Sequence, residues 1–353
     1  MILVFGIAGL IWWGGRLFGL TKPLRLTLLG LLYVTIVLLH LVLPPSNGLR
    51  LATGETAAFW LILGGCVILA LIYARIVGAL KAKAQTQDPD PMPTATPQTF
   101  SETELNRYAR HIVLREIGGP GQKKMKQAKV LVIGAGGLGA PALQYLAAAG
   151  IGTIGVIDDD EVENANLQRQ VIHRDADIGT PKVFSAQAAM LAQNPYVTVK
   201  PYHRRLSDEI AEELFADYDL ILDGTDNFET RYLANRIAVK LGKPLISGAL
   251  SQWEGQISVF HPAQSGPCYQ CIFPEAPAPG LAPSCAEAGV IGPLPGVIGS
   301  MMAVEAIKQI TGAGGLLHGE MLIYDGLYSE TRKIRLSKRE DCPVCGSGAQ
   351  QDH

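Results

Sequence analysis

The chain has 353 residues, 48% of them hydrophobic and 18% charged, with a formal net charge of −2. That average joins two unlike parts: residues 1–80 carry six charges (Arg16, Lys22, Arg25, Arg50, Glu55 and Arg75), and the 25 basic and 31 acidic residues that remain put the rest at net −6. A mildly acidic remainder argues against nucleic acid as a main partner, since phosphate binding calls for a basic surface.

Three apolar stretches open the chain, at residues 1–20, 26–43 and 57–80. A helix needs about 20 apolar residues to cross a bilayer. Three spans are therefore expected, with two as the alternative, because Arg16 interrupts the first stretch. Basic residues follow the first and third stretches, so the positive-inside rule places the N-terminus outside and everything after Lys81 in the cytoplasm. A cleaved signal peptide fits poorly, because no basic segment precedes the first apolar run. Residues 1–83 thus read as the membrane region of a multi-pass protein of the cytoplasmic (inner) membrane. Residues 84–99, rich in Pro, Thr and Gln, read as an extended tether.

A soluble domain is expected over residues 100–348. It opens with a capping box, Ser101 and Glu104, and Leu105, Tyr108 and Ile112 then continue at helical spacing. Next comes KVLVIG, a short apolar run that suits a buried parallel strand. Gly134, Gly136 and Gly139 fit the GxGxxG turn into a helix whose N-terminus would face an anion. The second strand, TIGVIDDD, ends at Asp158, 19 residues after Gly139, where a carboxylate can accept ribose hydroxyls. The fold class is α/β, a Rossmann-like doubly wound sheet. To this point a dinucleotide and ATP are equally suited.

The following segment favours a triphosphate. Asn166, Arg169 and Lys182 lie within one connection, and cations so placed can hold phosphate oxygens. A further strand over residues 219–222 leads to Asp223, Asp226 and Asn227 at the carboxyl edge of the sheet. A carboxylate there is a candidate Mg²⁺ ligand, and Asp226 is also placed to cap the helix FETRYLANRIAV. KPLISGAL, EGQISVFH and EMLIYDG read as later strands, with a helix over about residues 299–310.

Five cysteines follow the tether. Cys268 and Cys271, with Cys342 and Cys345, make two CxxC knuckles about 70 residues apart, the pattern of a structural Cys₄ zinc site. Cys285 stands apart in APSCAEAG, and spacing alone assigns it nothing.

Taken in order, GAGGLG, Asp158, NLQRQ, TPK and DGTDN resemble the adenylation domain of the ubiquitin-activating-enzyme superfamily. The branch most similar is the bacterial molybdopterin-synthase adenylyltransferase, with the thiamine sulfur-carrier adenylyltransferase nearby. The resemblance implies ATP-dependent adenylation of the C-terminal glycine carboxylate of a ubiquitin-like sulfur carrier ending in Gly-Gly. It implies that Gly137 lines the phosphates, Asp158 holds the ribose, Asn166, Arg169 and Lys182 attend the phosphates, and Asp226 positions Mg²⁺. Arg110 matches an arginine that reaches into a partner subunit's ATP site, which implies a homodimer. Cys285 matches a reactive cysteine of some branches and is a candidate nucleophile. Only eight residues follow Cys345, so the sulfur donor is expected to be a separate protein such as a cysteine desulfurase or rhodanese. Two other readings use the same glycines: an NAD-dependent oxidoreductase, which leaves Arg169, Lys182 and the cysteines without a role, and an adenylating dehydratase acting on a tRNA nucleoside.

Overall fold

A computed structural model of the chain describes residues 2–44, 46–54, 56–85, 100–277 and 288–347. The chain divides into two compact units, Met1–Thr94 and Ala95–His353.

In the first unit, two helices are long and apolar enough to cross a bilayer: α1 (Lys22–Val42), and the first 21 residues of α2 (Ala57–Gln85). The third expected span is not of that kind. Residues 3–17 form a shorter apolar helix, which loosens into a π turn over Leu10–Gly14 and ends before Gly19, at φ +73°. Its break has a sequence cause, since Gly14 and Gly15 follow Trp12 and Trp13 where a continuous span would need helix formers. Arg25 closes the end, donating from Nη1 to the Trp12 carbonyl at 3.2 Å and stacking over the Trp12 ring. Val4, Ile36 and Trp60 make a small core, and the outward residues of α1 and α2 are largely exposed leucine, isoleucine and valine.

The second unit is built on an eight-stranded sheet of order β3-β2-β1-β4-β5-β6-β7-β8. The strands are β1 (Lys129–Ile133), β2 (Thr153–Ile157), β3 (Thr198–Tyr202), β4 (Leu220–Asp223), β5 (Leu245–Leu250), β6 (Glu254–Phe260), β7 (Glu320–Asp325) and β8 (Glu330–Arg335). β1 to β5 are parallel in the doubly wound order 3-2-1-4-5, and β6 to β8 extend the sheet antiparallel. Alternation along β1 explains the two cores. Val130 and Val132 face α3 (Gly139–Ala149) and α4 (Lys182–Gln193), while Leu131 and Ile133 face the other side with Phe215, Ile221 and Ile237.

Several elements differ from expectation. The N-terminal helix of this unit breaks at Tyr108 into Glu102–Arg107 and Ala109–Ile112. Tyr108 is buried, and its hydroxyl accepts from Asn194 Nδ2 at 2.8 Å, a tertiary contact that outweighs helical continuity. The last helix, α5 (Pro293–Thr311), starts six residues earlier than expected, because a proline at the first helical position gives up no needed hydrogen bond. β3 and β8 had no apolar signature, since they lie at the sheet's two edges and carry Lys200, Pro201, Arg332 and Lys333.

Candidate active site

The carboxyl ends of β1, β2 and β4 open into a cleft of about 660 Å³. Its floor is the turn after β1. Gly134 sits at φ +92°, and a side chain on Gly139 would collide with the Gly134 carbonyl, so the turn is as tight as the motif implied. Gly134, Gly136 and Gly137 line the cleft, whereas Gly139 lies behind it as the first residue of α3. Among the described residues, the N–H groups of Gly136 and Gly137 have no backbone acceptor. Free N–H groups at a helix N-terminus are an anion site in waiting.

Asp158 lines the cleft at the end of β2. Its Oδ2 accepts from the Ala135 N–H at 2.7 Å and its Oδ1 from the Asp160 N–H at 2.9 Å. Burial holds its carboxyl above the ordinary value, against the opposing pull of Lys182 and these two donors. Lys182 is 5% exposed at the start of α4, and its Nζ pairs with Asp160 Oδ2 at 2.6 Å. Arg169 also lines the cleft, its guanidinium turned back to the Ala165 carbonyl at 3.2 Å and to Asn166 Oδ1 at 3.3 Å. Asn166 thus reaches the site through Arg169 and does not line it.

Asp226 and Asn227 lie on the opposite wall. The expected cap is corrected here: Asn227, not Asp226, caps α6 (Phe228–Lys240), its Oδ1 accepting from Thr230 N–H at 2.9 Å. The Asp226 carboxylate is left exposed, with no hydrogen bond or ion pair among the described residues. Such a carboxylate opposite Lys182 and Arg169 suits a cation bound beside phosphate. Arg110 is exposed on its single-turn helix and does not line the cleft. Cys285 lies outside the described residues.

Sequence reasoning missed Arg231. It is 5% exposed in the cleft wall, donating to Ser247 Oγ at 3.0 Å and to the carbonyls of Gly248 and Thr225. It also stands 3.7 Å from Asp223, which is fully buried. Asp160 likewise has no sequence signal. Its pairing with Lys182 depends on α4 returning beside β2, which no local pattern announces.

The four paired cysteines meet beside α6, against Asn235 and Val239. Sγ atoms of Cys268 and Cys342 are 3.6 Å apart, those of Cys271 and Cys345 3.4 Å, and those of Cys268 and Cys271 3.9 Å. A tetrahedron with Zn–S bonds of about 2.3 Å has sulfur–sulfur edges of about 3.8 Å, so the donor set fits a tetrahedral thiophilic cation. Asn235 Nδ2 and the Arg339 N–H donate to Cys268 and Cys271, the outer contacts that orient thiolate ligands. Burial pushes the Cys268 thiol up to about 11.

Residues 108–344 match the ThiF family. The chain belongs to that family. It is 50% identical over 256 residues to the sulfur carrier protein adenylyltransferase of Thermus thermophilus, covering 71% of this chain and 94% of that one. It is 48% identical over 250 residues to the SAMP-activating enzyme E1 of Haloferax volcanii, covering 71% and 92%. The probable adenylyltransferase/sulfurtransferase MoeZ of Mycobacterium tuberculosis is 51% identical over 247 residues, and the chain spans 63% of its length. A crystal structure of E. coli MccB with ATP superposes with a TM-score of 0.59 at 24% identity, over 70% of this chain and 75% of that one, which shows a shared fold. The ThiF match begins at residue 108, so the apolar unit lies outside it.

Proposed function

We propose that this ThiF-family protein is an ATP-dependent adenylyltransferase whose substrate is the C-terminal glycine carboxylate of a sulfur-carrier protein. The observation that carries this is the match of nearly the whole second unit to sulfur-carrier-activating relatives at about half identity, with a phosphate-ready glycine turn, two cations and an open carboxylate in one cleft.

The chemistry asks little of a base, because the nucleophile is already ionised at neutral pH. One carboxylate oxygen attacks the α-phosphorus of ATP. The bond to the bridging oxygen breaks, and an acyl-adenylate and pyrophosphate result. The obstacle is bringing two anions together, and the enzyme's task is positioning and charge neutralisation. In this reading the N–H groups of Gly136 and Gly137 receive phosphate oxygens, and Asp158 orients the ribose. Lys182 leaves Asp160 for the phosphates, and Arg169 swings from Ala165 to join it. Asp226 would hold Mg²⁺, which supplies further neutralisation of the triphosphate. Cys268, Cys271, Cys342 and Cys345 would hold Zn²⁺ in a structural role, four thiolates leaving no open position. A second copy would supply Arg110, making the working form a homodimer. The apolar unit would anchor the enzyme in the cytoplasmic membrane with the cleft in the cytoplasm.

ATP–pyrophosphate exchange tests the reading. Full-length protein in detergent, given a carrier ending in Gly-Gly, is expected to move radiolabel from pyrophosphate into ATP. Arg169→Ala and Lys182→Ala should each lower the exchange rate by about a hundredfold or more while leaving the thermal unfolding profile in place. Tight NAD binding with no exchange against any such carrier would overturn the assignment.

A further inference from the structure

We propose that His173 is a positioning residue for ATP, which fixes through the Ala135 carbonyl the peptide that presents the Gly136 N–H to the phosphates. The proposal rests on the ATP reading above.

His173 is 6% exposed and belongs to no part of the cleft lining. Its Nε2 lies 2.9 Å from the Ala135 oxygen, and its Nδ1 lies 2.8 Å from Ser185 Oγ. A carbonyl oxygen can only accept, so a hydrogen sits on Nε2, while the Ser185 hydroxyl holds the other edge of the ring at Nδ1. Ser185 is buried in turn and lies 2.8 Å from Asp177 Oδ2. Asp177 is itself held by the Arg174 N–H at 3.1 Å. The three side chains have the members of a nucleophilic triad in the wrong order. The hydroxyl stands between the carboxylate and the imidazole, and the imidazole's far nitrogen is spent on backbone. The chain therefore activates nothing. It orients the ring.

What the ring holds is a single peptide plane. All peptide bonds described are trans, and in a trans peptide the N–H points opposite to the C=O. Tying the Ala135 oxygen to a buried imidazole turns the Gly136 N–H the other way. Gly136 lines the cleft, and its N–H has no backbone acceptor among the described residues. The Ala135 N–H, on the preceding peptide, is fixed by Asp158. Both peptides flanking Ala135 are thereby set before ligand arrives, one by the expected ribose carboxylate and the other by His173. With Gly134 and Gly136 on either side, the turn has only the Ala135 methyl of its own to resist a peptide flip. The restraint has to come from outside, and His173 is the side chain that provides it.

The test is binding of Mg-ATP and of adenosine to the full-length protein in detergent, by titration calorimetry. His173→Ala is expected to weaken ATP binding about tenfold or more, the effect of one charge-assisted hydrogen bond, and to leave adenosine binding within about twofold. His173→Gln, which can still donate to the Ala135 oxygen, should recover most of the ATP affinity. Ser185→Ala, which frees the ring to turn, should weaken ATP severalfold and again spare adenosine; it keeps the test decisive if His173→Ala does not fold. ATP binding unchanged in these variants, or ATP and adenosine weakened by one common factor, overturns the proposal. Failure of the unmodified protein to bind ATP would instead remove the reading beneath it, and the proposal with it.

Discussion

Arg231 brings a charge into a wall of the cleft where almost no water reaches it, and its four neighbours divide the work of accepting it. Ser247 and Gly248 belong to β5, and Asp223 and Thr225 to β4 and its following turn. One guanidinium thus ties the end of β4, from which the loop carrying Asp226 departs, to the middle of β5. Removing one member of a buried ion pair costs about 3–5 kcal/mol, because the other charge is left stranded. Arg231→Leu is therefore expected to destabilise the second unit by about 3 kcal/mol, read as a lower midpoint in urea unfolding followed by tryptophan fluorescence. Exchange activity should fall with it, since the Asp226 loop loses its tie. An unmoved midpoint would show that solvent reaches Asp223. Other residues of the cleft were legible in the sequence for a definite reason. Gly134, Gly136, Gly137, Asp158 and Asp226 sit just past strand ends, where the chain order of a doubly wound sheet already implies convergence. Arg231, Asp160 and His173 were not legible, because each acts on a partner that only the folded sheet brings near.

The two CxxC pairs act at the scale of elements. Cys268 and Cys271 stand at the short turn Tyr269–Ile272, packed under α6, and Cys342 and Cys345 lie beyond β8. β8 is exposed along its whole length, so hydrogen bonds to β7 and the cysteine cluster are what retain it. A structural zinc site contributes folding free energy directly. Purified protein is expected to contain about one zinc per chain by atomic emission. Cys342→Ser, or prolonged chelation at neutral pH, should open the segment after Phe260 to limited proteolysis and lower the thermal midpoint. A zinc-free protein with full resistance to protease would discard the site. Spacing alone announced that these four cysteines would meet, since paired CxxC motifs in one domain are the pattern of a shared site. The edge strands it secures escaped notice because a strand exposed on both faces has no apolar alternation to read.

The whole molecule joins two units of opposite character, and their solution behaviour should differ accordingly. The apolar outer surfaces of α1 and α2 favour a bilayer by length and composition. The full chain is expected to stay with membranes through a carbonate wash, whereas residues 95–353 should not sediment with them; release of the full chain would refute the anchor. For the second unit, acid is the condition that probes the fold as a whole. His173, His261 and His318 are all held below the ordinary value of 6.5, in each case chiefly by burial. In the unfolded chain each regains that value. Below pH 6.5 the unfolded state therefore binds more protons than the folded state, and stability falls as pH drops from 6.5 toward the folded values. Asp158, raised by burial, works in the opposite sense, but only nearer the carboxylate range. The thermal midpoint of the second unit's transition should thus stay level between pH 8 and pH 7 and decline steadily from about pH 6.5 to pH 5. His173→Gln removes one of the three titrations and should make that decline shallower. An equal slope in the variant would mean that His173 is as solvated in the folded state as in the unfolded chain, contrary to its burial between Ala135 and Ser185.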